Sequence, residues 1–218
     1  MSQASKNFTI TAPASMSIFQ NYVSQLTQLF KPRPVALSGQ RLYATCVTQA
    51  RLPVFYLDYG VEDAIGARFE MLAFHVGLVI ERLKAVAVDD PRREQAQEMA
   101  QALFDALLSA LDNTLREQGT GDLSVPKKMK KLGEVIYTRM RRWDELWHED
   151  AAARSDYVAR TILAGGQDAG EDGTPGDPVK AQAFAAYAET ARQALDIDAL
   201  LAGHVAWPEP ADAMAEEH

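Results

Sequence analysis

Apolar side chains recur along this chain every three or four residues, the spacing that lines one side of an α-helix. No segment alternates apolar and polar residues as a half-buried strand does. A first helix is expected behind Ser15 or Ser17, with Ile18, Tyr22, Leu26, Leu29 and Phe30 in register and Pro32 and Pro34 ending it. A second runs from Ser38 to about Arg51 and turns Leu42, Cys46 and Val47 inward. Pro53 then breaks the pattern or opens a short helix holding Phe55, Tyr56 and Tyr59, and Gly60 is the stop.

The central helix is expected from Asp63 to about Val86. Phe69, Leu72, Val76, Val79, Ile80 and Leu83 form one apolar stripe, and Met71, Phe74 and Leu78 form a second on the opposite side. A helix apolar on both sides is buried on both sides. Asp90–Pro91 reads as an N-cap followed by proline at the first helical position, opening a helix that runs to about Gln118. Gly119 and Gly121 end it. The next helix, from about Val125 to about His148, buries a stripe of Met129, Leu132, Ile136, Met140, Trp143 and Trp147. Shorter helices follow at Ser155–Leu163 and at about Pro178–Leu195, the latter with a helical tail to Leu201.

These elements predict an all-α fold, a single-domain bundle of about seven to nine helices without a sheet. The helical domain spans 15–204, between a disordered N-terminus, 1–14, and a disordered tail, 205–218. Within it, the Gly- and Asp-rich stretch 165–177 reads as a flexible surface loop.

Composition narrows the class. Hydrophobic residues make up 47% of the chain and charged residues 24%, as in ordinary water-soluble domains. One cysteine, Cys46, excludes an internal disulfide and suits a reducing compartment. The longest apolar run, Met71–Ile80, is about half the length needed to cross a bilayer. No secretory leader is visible, so the expected location is cytoplasmic, extending to the periphery of the inner membrane, in a bacterium.

Charge changes the picture more. The chain carries −8, yet Val125–Arg142 carries +6, which leaves −14 for the rest. Lys127, Lys128, Lys130, Lys131, Arg139, Arg141 and Arg142 face away from the apolar stripe, against a single helical acid, Glu134. With Asp122 in the turn before them, they form the candidate partner-binding surface. A solvated helix face and a docking face for anionic lipid, RNA or an acidic protein all fit this spacing. Residues 1–57 hold no acid and carry +5 through Lys6, Lys31, Arg33, Arg41 and Arg51, a second positive zone.

Tyr43, Phe55, Tyr56 and Tyr59 cluster around Pro53, either as core or as the rim of a groove for a client segment. His75, inside the most apolar helix, is expected to be a satisfied core histidine; a site built around it is the remaining route to a ligand binder or enzyme. Trp143 and Trp147 belong to the buried stripe. No nucleophile–base pairing, phosphate loop or metal-ligand spacing stands out, so the expectation is a non-enzyme without metal or cofactor.

Two blocks carry a resemblance: Arg68–Leu83, RFEMLAFHVGLVIERL, and Gly121–Tyr137, GDLSVPKKMKKLGEVIY. With the preceding LYATCVTQARLPVFYLDYGVEDAIGARFEM, the chain resembles the ubiquinol–cytochrome c chaperone family over about 39–142, continuing more weakly to 163. The resemblance implies an all-helical assembly chaperone for ubiquinol–cytochrome c reductase, respiratory complex III. It implies cytochrome b or a complex III assembly intermediate as partner, and the ribosome or the anionic inner-membrane surface as a docking site. Mitochondrial members also work with a small partner protein. Stable DNA binding is not expected. The alternative is a peripheral adaptor for anionic membrane or RNA, without complex III specificity.

Overall fold

Eight helices and no strand make up the described residues, 34–164 and 175–210 of the computed structural model. The all-α expectation holds. The helix expected from Ser15 or Ser17 to Phe30, and the acid-free segment around Lys6, Lys31 and Arg33, lie outside the described residues.

Helix α1 (Pro34–Ala50) starts earlier than expected because Pro34 opens it instead of closing its predecessor. A proline at a helix start has no N–H to lose, and its φ is already helical. Helix α2 (Pro53–Leu57) uses Pro53 in the same way. The chain then turns at Gly60, whose φ of +74° is a left-handed value that favours glycine.

Helix α3 (Ile65–Lys84) is central among the described helices. It packs on α4 (Arg93–Glu117), α5 (Val125–Leu146) and the short α8 (Ile197–Leu201). Most of both apolar stripes is covered, with Met71, Val76, Val79 and Leu83 fully buried and Phe74 and Leu78 nearly so, while Phe69 and Leu72 are half-buried. Helix α1 meets α4 backbone to backbone: a Cβ on Gly39 would lie 2.6 Å from the carbonyl carbon of Ala102.

Helix α4 begins later than Asp90–Pro91 suggested. The Asp90 carboxylate accepts from the Arg92 N–H at 2.8 Å and closes a turn ahead of the helix instead of capping it. Helix α6 (Ala151–Thr161) begins earlier than expected, because Asp150 is its cap and accepts from the Ala153 N–H at 2.8 Å. Asp177 caps α7 (Pro178–Gln193), and Asp196 caps α8, by the same bond to Val179 and Ala199. Each such cap contributes about 1 kcal/mol.

Helix α7 packs on α6 and brings Phe184 and Tyr187 against Phe55, Phe74 and His75, with ring centroids 5.0–5.9 Å apart. Two segments expected to be loose are packed in their described parts. Gly176, at the end of the 165–177 loop, donates its N–H to the Ala159 carbonyl at 2.8 Å. Val205 and Trp207, in the expected tail, lie against the core, and the Pro208 carbonyl accepts from Gln49 Nε2 at 3.2 Å.

Candidate functional site

Helix α5 is seated by its apolar stripe. Ile136, Trp143 and Leu146 are buried, and Val125 anchors the first turn at 1% exposure. The preceding turn is closed by the Ser124 N–H donating to the Gly121 carbonyl at 2.8 Å, and Pro126 stands in the first helical turn.

The seven cations of α5 divide into two groups. Lys127, Lys128, Lys130 and Lys131, in the first two turns, are all exposed. Lys130 lies 3.9 Å from Glu134, and Lys128 donates to the Thr120 hydroxyl at 3.0 Å. Lys127 and Lys131 have no ion pair among the described residues. The first turn contains no acid, and its lysines sit at the positive end of the helix dipole. Helix stability is therefore no reason for their being there.

The arginines are engaged. Arg139 grips the Glu70 carboxylate with Nε and Nη2, each at 2.9 Å. Glu70 is 3% exposed, so this ion pair ties α5 to α3 from inside. Burial works against the Arg139 charge, but the hydrogen bonds and charge of Glu70 outweigh it and raise its pKa. Beside them, burial pushes the Tyr157 phenol up to about 12. Arg142 pairs with Glu145 at 3.2 Å and Glu149 at 2.6 Å, and Arg141 approaches Glu145 at 3.7 Å. Asp122 accepts from Arg116 at 2.7 Å, outside the helix.

The aromatic cluster around Pro53 also divides. Phe55 and Tyr59 are 0% and 1% exposed. They face the rings of Phe184 and Tyr187, so they are core and line no groove. Tyr56 is half-buried and donates its hydroxyl to the Ala50 carbonyl at 2.8 Å, with the Arg68 guanidinium 5.9 Å from its ring. Tyr43 does line a groove. That groove, about 530 Å³, lies between α1, α3, α4 and α5 and is walled by Tyr43, Val47, Phe69, Leu72, Leu111 and Leu132. Arg51 and Arg68 add positive charge to its lining. Leu132 sits one turn after Lys128 on α5, so the groove and the lysine face are contiguous.

His75 is enclosed. Its Nδ1–H donates to the Met71 carbonyl at 2.7 Å, and its Nε2 accepts from the Tyr187 hydroxyl at 2.8 Å. Tyr187 in turn accepts from Gln49 Nε2 at 3.0 Å. Burial pushes the imidazole down to about 4, so it is neutral near pH 7. Burial likewise raises the Cys46 thiol well above its usual range, which keeps it protonated. Among the described residues no group of three or more His, Cys, Asp or Glu converges as metal ligands do.

Two polar contacts within the fold escaped sequence reasoning, the buried Glu70–Arg139 pair and the half-buried Glu81 carboxylate. The latter accepts from Trp147 Nε1 at 2.7 Å and Arg192 Nε at 3.2 Å. A signal was present for the first: Glu70 lies one turn from Ala67 and Phe74, on a side of α3 that the core occupies.

Fold and site together define a class: an all-helical scaffold with a solvent-facing cationic helix beside an apolar groove. The chain belongs to the family described as ubiquinol-cytochrome C chaperone, whose model matches residues 57–207. The match thus reaches the packed segment around Trp207. In three dimensions the chain is similar to the crystal structure of the Cbp3 homolog from Brucella abortus. The identity is 29% and the TM-score 0.65, over 84% of this chain and 97% of that one. No curated protein matches the chain. The coarse function is that of the family, a chaperone in complex III assembly, and the family implies a non-enzymatic role. No described helix is long and apolar enough to cross a membrane.

Proposed function

We propose that this chain is an assembly chaperone that holds newly made cytochrome b, or an early complex III intermediate, against its helical surfaces. The lysine half of α5 docks the complex at an anionic surface, such as the ribosome or the inner membrane, on the cytoplasmic side. The observation that carries this reading is the contiguity of four exposed, weakly paired lysines with the groove walled by Tyr43, Leu72 and Leu132. An apolar groove shields a segment of a membrane subunit before it packs, and exposed cations hold the complex near an anionic surface. The acidic remainder of the chain repels nucleic acid at large, so stable DNA binding is not expected.

The test is a deletion strain. Reduced-minus-oxidised spectra of its membranes should lose the b-type signal, and ubiquinol–cytochrome c reductase activity should fall with it. The wild-type gene should restore both. A variant with Lys127, Lys128, Lys130 and Lys131 changed to Glu should fold normally and fail to restore them. Normal spectra and activity in the deletion strain would sink the complex III role and favour an adaptor without complex III specificity.

A further inference from the structure

Leu123 is 98% exposed, at the turn between α4 and α5. Lys127, Lys128, Lys130 and Lys131 follow it after Ser124, Val125 and Pro126. The turn is built. Ser124 and Val125 donate their N–H groups to the Gly121 carbonyl, Val125 is buried, and Lys128 reaches back to Thr120. Asp122 is held by Arg116, which also grips Asp112. From Arg116 to Lys131 the net charge is +3 even with Glu117 and Asp122 counted.

RNA and an acidic protein would both answer the charge, but RNA has no use for Leu123, and an acidic protein is gripped better by arginine than by lysine. Gly121–Leu132 contains no aromatic on which a base could stack. The arginines that would grip phosphate or carboxylate with two parallel bonds are farther along α5, engaged by Glu70, Glu145 and Glu149. An exposed leucine followed by flexible ammonium groups matches an anionic bilayer, with the apolar tip below the headgroups and the lysines at phosphate level.

We propose that the α4–α5 turn is a membrane anchor: Leu123 inserts into the interface of an anionic bilayer while Lys127, Lys128, Lys130 and Lys131 contact lipid phosphates. The proposal rests on the reading of the lysine face as a docking surface and is independent of the client's identity.

The test uses the full chain and vesicles of phosphatidylcholine, alone or mixed with phosphatidylglycerol. Binding is expected only with the anionic lipid and is lost at 1 M salt, where the screening length is about 3 Å. Leu123→Ser should weaken partition about tenfold. Lys127→Glu with Lys128→Glu should weaken it about thirtyfold or more. Val88→Ser, at another 88% exposed apolar position, should change nothing. An environment-sensitive dye on Leu123→Cys should shift to the blue on anionic vesicles; the native Cys46 is buried and escapes labelling.

No vesicle binding, a dye that stays in water, equal losses from Val88→Ser and Leu123→Ser, or binding confined to RNA or acidic peptide would each overturn the anchor. If vesicles are not bound but lysine reversal still abolishes complex III, the anchor fails and the chaperone reading stands. If vesicles are bound but the deletion strain keeps complex III, the anchor stands and the chaperone reading fails.

Discussion

Arg139 decides whether the basic face is one surface or two. Its guanidinium makes two 2.9 Å bonds to Glu70, which is 3% exposed, while its own side chain is 25% exposed. Arg139→Ala leaves a buried carboxylate without a counter-charge. Removing one partner of a buried pair costs about 3–5 kcal/mol. The residual exposure of Arg139 lets water reach the carboxylate, so the lower end applies, about 3 kcal/mol. Unfolding entropy near 2.1 cal/mol/K per residue over the described fold converts that to a Tm drop of about 8 °C. Glu70→Gln should cost a similar amount by stranding the guanidinium. The double variant Glu70→Gln with Arg139→Met should cost less than the sum of the singles, because neither charge is left unpaired. Thermal melts followed by circular dichroism measure all three. An Arg139→Ala protein that melts within about 1 °C of wild type, yet fails to support complex III, would refute the reasoning and return Arg139 to the docking face.

The four-lysine reversal should behave in the opposite way: Tm unchanged or slightly higher, since glutamates suit the start of a helix, but complex III lost in complementation. His75 gives a pH signature. The unfolded imidazole takes a proton near pH 6.5 and the folded one resists to about 4. The unfolded state therefore binds more protons between those values, and stability should fall as pH drops, by about 3 kcal/mol in total. Urea midpoints measured from pH 7 to pH 4 should show this slope, and His75→Gln should flatten it. Phe55→Ala should cost about 3–5 kcal/mol as a core cavity, read from the same melts. Leu132→Glu, on the half-buried groove wall, should cost less in stability but lose complementation; equal stability losses would disprove the core and groove assignments.

Much of the fold was legible because helix periodicity and proline are local. The two stripes of α3 announced its central place, and all but the half-buried Phe69 and Leu72 are buried. Boundaries failed where a single side chain chose among hydrogen bonds. Asp90 bonds to Arg92 and delays α4, whereas Asp150 bonds to Ala153 and advances α6. Both are aspartates ahead of an apolar pattern, and only their geometry separates a turn from a cap. Tyr43, Phe55, Tyr56 and Tyr59 were legible as an aromatic cluster, but not as three core-bound or bonded side chains and one groove wall. That division depends on where α7 places Phe184 and Tyr187, more than a hundred residues away in sequence.

The charge on α5 was legible as a sum, and a sum treats lysine and arginine alike. Pairing separates them. Arg139 on Glu70 and Trp147 on Glu81 bind the later turns of α5 to α3, and Arg142 ties its end to Glu149. These contacts need carboxylates within reach, and the chain supplies them there. At the first turns it supplies one, Glu134, at 3.9 Å from Lys130. A helix clamped at one end by the buried Glu70 and the half-buried Glu81 holds its other end at a set angle to the core, without further contacts from the lysines. The lysines stay solvated, and so available, because the arginines do the holding. A partner that binds them meets a preorganised row of charge and need not order a floppy one, which lowers the entropy lost on binding.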